Sequence, residues 1–440
     1  MCSSAMSALL VLLLACVAPA CAAGAGAGTS TVPVRHPVEI AYDQAVAAAA
    51  SADWEACLDA TRRALALAPG QPALQRRHAE ALAQLGRSDE AMQDLRALVG
   101  WGVEVKLADF ELLAPLHGHA DWPQLLAAAE AALAPQGSPG LSFTMPVADL
   151  VPEGICHDPV DDVFYVSSVA QRKILRVARD GTASDFITPG AHGYLAGLGV
   201  AVDAQRRRLW AVSTAQADDG LFDGTVVFTS AVHVFDLASG KLLWRHVTAQ
   251  RDSLGFNDVC VLPDGGGAVA VTDRGQVLRF GPDGGAPVAL TAPGAMPGAN
   301  GLCVGPRGDC LYVSAYLLGI MRVDLGDGVI SAAAVPGADF TTSGVDGLYL
   351  LPDGTGLIAV QNFLGLDRVA RFRLRADGLV DDCRVLTARQ EMFVDPTTGA
   401  LAADGFHFIA DSYVSPFYGR EDKSVLTGFG RTRVMRIGLE

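Results

Sequence analysis

A chain of 440 residues with 48 glycines, 23 prolines and only 18% charged residues is turn-rich and too long for one ordinary domain. Its formal charge of −15, with no basic cluster to offset it, excludes nucleic acid and anionic membrane surfaces as expected partners.

Residues 1–22 read as an export signal. An apolar run, Ala8 to Ala15, is followed by the small-x-small sequence Ala18-Pro19-Ala20, and the run is too short to span a bilayer. The mature chain is therefore expected to be exported, periplasmic or secreted, without a transmembrane segment. Leu13-Leu14-Ala15-Cys16 also resembles a lipoprotein box, so lipid anchoring through Cys16, or through Cys21, is the alternative. Residues 23–37, rich in Ala, Gly, Ser, Thr and Pro, read as a linker.

From 38 to 134 the periodicity is helical. Ala41, Tyr42, Ala45 and Val46, then Trp54, Cys57, Leu58, Ala64 and Leu65, recur at three- and four-residue spacing, with stops at Ala68-Pro69-Gly70 and Gly86. The segment resembles tetratricopeptide repeats, of which the last copy, Val105 to Ala134, fits poorly. Such helix pairs either bind a protein partner or pack as a spacer, and both readings stay open. His117 and His119 lack the further ligands that a metal pair needs. Residues 135–141, with Gly137, Pro139 and Gly140, form a second expected linker.

The remainder, 142–440, carries a repeat with an interval of about 40 to 60 residues, the mark of a β-propeller. Each copy has a residue, polar in all but one, before Gly or Asp, an apolar run, a turn and a second apolar run. The copies open at Glu153, Leu198, Asn257, Asn300, Asp346 and Thr398. The expected fold is mainly β, a six-bladed β-propeller behind an N-terminal helical repeat domain, with Arg431 to Gly438 and Phe143 to Val147 closing one blade together. Cys156, Cys260 and Cys303 share one repeat position, so they are expected as small buried thiols rather than disulfide partners.

In a propeller the residues that open equivalent inner strands converge on one mouth. Four of the six here, Glu153, Asn257, Asn300 and Asp346, are oxygen ligands suited to a hard divalent cation, Ca2+ in the first place, with Mg2+, Mn2+ or Zn2+ as alternatives. The residues ending the return strands, Ser168, Thr214, Asp273, Tyr316, Asn362 and Asp411, nominate the substrate-binding rim. His407, within Phe406-His407-Phe408, is a further substrate-side candidate.

The stretches PEGICHDP, FNDVCVLPDG, ANGLCVGPRG and GVDGLYLLPDG resemble the senescence-marker-protein/gluconolactonase family of six-bladed propellers, from about Val151 to the C-terminus. The resemblance implies a metal-dependent hydrolase of a small-molecule lactone or ester. Glu153, Asn300 and Asp346 would be metal ligands and Asn257 a metal or substrate contact. Asp346, or alternatively Asp258, would be the base that takes the proton of the attacking water. One departure stands out: Gly255 occupies a position where relatives often carry Arg, which puts a sugar-acid lactone in doubt. The rival reading is a non-catalytic interaction protein with a structural calcium.

Overall fold

The computed structural model describes residues 34–218, 226–249, 252–362, 364–420 and 426–439. The expected export signal, with Cys16 and Cys21, and most of the first linker lie outside the described residues. No helix among the described residues is long and apolar enough to cross a membrane.

Helices α1 to α5 span Pro37–Ala50, Trp54–Leu67, Pro72–Gln84, Ser88–Gly100 and Trp122–Ala131. Their starts are written locally. His36 and Glu39 form a reciprocal cap on α1, and the Asp53 carboxylate caps α2. Two 3-10 segments, Leu107–Asp109 and Glu111–Leu116, replace regular helix where the repeat pattern weakens. His119 bonds Asp89 and the amide of Asp121, and the His117 ring lies tilted against Trp122 at 5.0 Å between centroids.

Six four-stranded antiparallel sheets follow, the blades of a six-bladed β-propeller. β1 is Gly140–Thr144. Blade 1 holds β2 to β5 (Pro152–Asp158, Val163–Ser168, Lys173–Val177, Ala183–Ile187). Blade 2 holds β6 to β9 (Ala196–Asp203, Arg208–Asp218, Val226–Asp236, Leu242–Val247). Blade 3 holds β10 to β13 (Phe256–Val261, Gly267–Val271, Gln276–Phe280, Val288–Ala289). Blade 4 holds β14 to β17 (Ala299–Val304, Cys310–Ala315, Gly319–Asp324, Ile330–Ala332). Blade 5 holds β18 to β21 (Val345–Leu350, Gly356–Gln361, Arg368–Leu374, Val380–Ala388). Blade 6 joins β22 to β24 (Gly399–Ala402, Gly405–Ile409, Arg433–Ile437) to β1, the closure expected from the two ends of the domain. A short helix, α6 (Val414–Gly419), interrupts it.

The return strands β3, β11, β15, β19 and β23 are buried along their whole length. They are covered on both faces, which is why their sequences are continuous apolar runs rather than alternating ones. The edge strand β9 alternates half-buried and exposed residues instead.

The chain divides into two units. One contains blades 1, 2, 3 and 6; the other contains the five helices with blades 4 and 5. In the first unit the blades are stitched by side chains onto neighbouring inner strands. Ser167 Oγ donates to Leu198 O at 2.6 Å, Thr214 Oγ1 to Phe256 O at 2.7 Å, and Thr398 Oγ1 to Glu153 O.

In the second unit the helices pack onto blade 5. Leu366, from the loop between β19 and β20, is fully buried in the helical core with Trp101, Val103 and Val105. The expected linker 135–141 is held rather than free: Gln136 pairs with Ala388 beside β21, and Thr387 Oγ1 and Gln390 Nε2 donate to Gln136 O at 3.0 and 2.7 Å. The six cysteines Cys57, Cys156, Cys260, Cys303, Cys310 and Cys383 are free thiols.

Candidate functional site

In blades 1, 2, 3 and 5 the residue that opens the repeat sits inside its inner strand, on a β-bulge. Register shifts fall between Pro152 and Ile155, Gly197 and Val200, Phe256 and Val259, and Val345 and Leu348. The skipped residues are the repeat pairs Glu153-Gly154, Leu198-Gly199, Asn257-Asp258 and Asp346-Gly347. A bulge leaves its extra residue outside the ladder and re-aims the side chain. Glycine in the pair has a separate cause. A Cβ on Gly154 would lie 2.2 Å from Leu198 O, and one on Gly301 would lie 2.0 Å from Asp346 O. Adjacent inner strands therefore touch backbone to backbone at this point.

In the second unit two reciprocal couples form. Asn300 Nδ2 donates to the Tyr316 hydroxyl at 2.7 Å, and Asn362 Nδ2 donates to Asp346 Oδ2 at 2.6 Å. In each, the residue opening the inner strand meets the one ending its return strand. Asn300 and Asp346 are 3% and 5% exposed. Only the NH2 end of an amide can donate to a carboxylate, so the Asp346 couple fixes the orientation of Asn362, whereas a tyrosine hydroxyl can meet either end of Asn300. Asn362 is left with its Oδ1 buried and without a hydrogen-bond donor. An unsatisfied buried carbonyl costs about 1–3 kcal/mol.

In the first unit Glu153 is buried, and its charge, after burial, helps raise the pKa of two phenols: Tyr194 is shifted far up and Tyr418 is pushed up to about 12. Neither tyrosine belongs to the repeat, and nothing in their sequence context marks them. Asn257 is half-buried on its bulge. Asp258 turns back onto the chain: its Oδ1 accepts the Val259 N–H at 2.8 Å and lies over Gly199.

Asp273 accepts the Gly255 N–H at 2.6 Å, and burial pushes its carboxyl up to about 6. Beside it stands Phe228. The β7–β8 ribbon continues past the blade for four residue pairs, from Ala215–Thr229 to Asp218–Val226. Ser253 Oγ accepts the Phe228 N–H at 3.1 Å, and a Cβ on Gly255 would lie 3.4 Å from Phe228 Cγ and 3.1 Å from Asp273 Oδ1. An aromatic ring and a carboxyl thus flank Gly255.

The other nominated residues are engaged elsewhere. Ser168 Oγ donates to Leu150 O and accepts the Gln171 N–H at 3.0 Å. Asp411 accepts the Arg433 backbone N–H, and the guanidinium at 2.7 Å. His407 lies towards the β22–β23 hairpin turn, its ring bonded to Asp404 at 2.9 Å and Ser142 at 2.8 Å, whereas Thr398 meets Ile409 at the other end of the strands.

Among the described residues no three His, Cys, Asp or Glu side chains gather closely enough to hold a metal. The oxygen-rich donor set at Asn300, Asp346 and Asn362, with its orphaned buried carbonyl, fits a hard cation.

No family model matches the chain, and no curated protein matches it. Solved structures do. A gluconolactonase from Xanthomonas campestris is 18% identical over 68% of this chain and 88% of that one, with a TM-score of 0.44. A calcium-binding protein, regucalcin, from Agrobacterium tumefaciens is 15% identical over 69% and 96%, also at 0.44. A PQQ-bound aldose sugar dehydrogenase from Streptomyces coelicolor is 18% identical over 69% and 100%, again at 0.44. At these values the likeness carries no argument about chemistry.

Proposed function

We propose that this protein is a divalent-cation-dependent lactone or ester hydrolase, with calcium the first candidate and magnesium, manganese or zinc the alternatives. The observation that carries the reading is the Asp346–Asn362 couple beside Asn300–Tyr316: a carboxylate oriented by an amide, next to a second amide bonded to a tyrosine hydroxyl. Asn300 and Asp346 would hold the ion, with the Asn362 carbonyl beside them. Glu153 and Asn257, at the same repeat position, complete the ligand set implied by the sequence resemblance. Such an ion, when bound, polarises a carbonyl and makes water more acidic.

The chain's own groups do the rest. Asp346 accepts the proton of the attacking water while Asn362 Nδ2 holds its Oδ2. Asp258 is the second candidate base. Residues 1–22 support a site of action outside the cytoplasm, which sequencing the N-terminus of the mature protein would check.

The test is hydrolysis of aryl esters and of alkyl-substituted and hydroxylated lactones by the whole mature chain, with calcium, with chelator, and with Asp346→Ala. The expected result is cation-dependent turnover falling by about 10²–10⁴-fold in the variant, the range that general-base loss gives. Turnover unchanged by both chelator and substitution overturns the reading. No turnover together with a calcium-dependent rise in Tm moves the protein to a structural cation and an interaction role.

A further inference from the structure

The loop after Asn362 leads directly into the helical domain. Glu104 N–H donates to Gly365 O at 2.7 Å, Gly365 takes a φ of +74° under the Glu104 backbone, and Leu366 is buried in the helical core. Two positions after Leu366 stands Arg368, 2% exposed. Its Nη1 donates to Trp101 O, just past the C-terminus of α4, at 2.6 Å, and its Nε donates to Gln361 Oε1 at 2.7 Å. Gln361, fully buried, donates in turn to Ser343 O at 2.7 Å and pairs with Val345 in the β18–β19 ladder. The residues that follow this braced pair on the two strands are Asp346 and Asn362.

Stability alone does not account for an arginine here. Burying a guanidinium carries a desolvation penalty of several kcal/mol, and an apolar residue of similar volume is often no worse. What the apolar residue lacks is the fork. One guanidinium arm reads the carbonyl end of a helix, where the macrodipole is negative, and the other fixes Gln361.

We propose that the helical domain positions the Asp346–Asn362 couple, acting through Arg368. The proposal rests on the reading that this couple binds the cation. Arg368 is a positioning residue; it touches neither ion nor substrate. Arg389 provides the contrast. It donates to Gly102 O and its backbone N–H meets Asp367 O, so it ties the same helix end to blade 5 without reaching Gln361.

The experiment is calorimetric Ca2+ binding and thermal unfolding of the whole chain, wild type against Arg368→Met, Arg368→Lys, Arg389→Met, Asn362→Ala and the Arg368→Met/Asn362→Ala double variant. Arg368→Met is expected to weaken Ca2+ by about 10- to 100-fold, the range of support residues behind metal ligands. Arg368→Lys, which keeps the charge but not the fork, behaves like Arg368→Met. Arg389→Met lowers Tm and leaves the affinity alone, and the double variant binds no more weakly than Asn362→Ala. Affinity that simply follows Tm across both arginine variants, or wild-type affinity in Arg368→Met, overturns the proposal. If the wild type binds no cation, the metal reading fails and positioning is read from Tm. Non-additive shifts for Arg368→Met with Asn362→Ala, against additive ones for Arg389→Met with Asn362→Ala, sustain it, and additivity in both pairs overturns it.

Discussion

Asp273 is a carboxyl held against its own solution chemistry. Burial lifts it from 3.8 to about 6, against the Gly255 N–H that favours its charged form. Between those two values the folded protein keeps a proton that the unfolded chain releases, so stability falls as pH rises through that window. Asp273→Asn removes the ionisation and keeps the acceptor. The variant is expected to melt higher than wild type at pH 8, by an amount bounded at about 3 kcal/mol, and at the same temperature as wild type at pH 4. Thermal melts at the two pH values check it, and a stabilisation that is the same at both would refute the assignment.

The same residue scale shows how much of the site the sequence carried. Asn300 and Asp346 were legible because they recur at one repeat position, and Tyr316 and Asn362 because a hairpin returns its second strand to the start of its first. Phe228, Tyr194 and Tyr418 were not legible. They come from an overlong ribbon, a loop and a six-residue helix, none of which shares the repeat's period.

At the scale of elements, the bulge is the device that matters. The sequence places a polar residue before Gly at the opening of an inner strand, whereas in four blades the residue sits on a bulge within that strand, and Gly154 and Gly301 answer to the next blade's backbone. Gly154→Ala puts a Cβ 2.2 Å from Leu198 O, where no side chain can yield. It is expected to cost about 3 kcal/mol or more. Gly140→Ala, with nothing within 4 Å, should stay within about 0.5 kcal/mol of wild type. Denaturant midpoints measure both; equal effects would mean that the inner strands do not touch as described. The segment 135–141 teaches the complementary lesson. Its Pro/Gly composition correctly marks irregular backbone, yet composition says nothing about the carbonyl of Gln136 that Thr387 and Gln390 hold.

For the molecule as a whole, acid acts in two directions: Asp273 and Asp367, both pushed up to about 6 by burial, add stability as pH falls through that range, while His233 and Asp404 lose it. Burial pushes His233 down to about 4, with its Nε2 on His192 O, so it stays neutral while the unfolded chain takes up a proton below about 6.5. Stability is therefore lost as pH falls from about 6.5 to 4, by up to about 3 kcal/mol from this group. Asp404 adds to the loss at lower pH. His407, Arg179 and Arg436 hold it well below the usual carboxylate range despite the cost of burial, and that stabilisation disappears as the carboxylate protonates. His233→Gln should flatten the upper part of the profile and leave the lower part intact, which melts across pH 3.5–7.5 would show.

The sequence divides at 135–141 into helices and propeller, but the seam that holds them lies elsewhere, at Leu366, Arg368 and Arg389 against the end of α4. Severing the peptide bond there would not part the two pieces. A protease nick in 135–141 should yield fragments that travel together through a sizing column and separate only in denaturant. A propeller expressed without its helices would expose Leu366 and strand a guanidinium built for a helix end. The helices are thus less an attachment than a missing wall, and the smallest unit that can be inherited, moved or shuffled intact includes both.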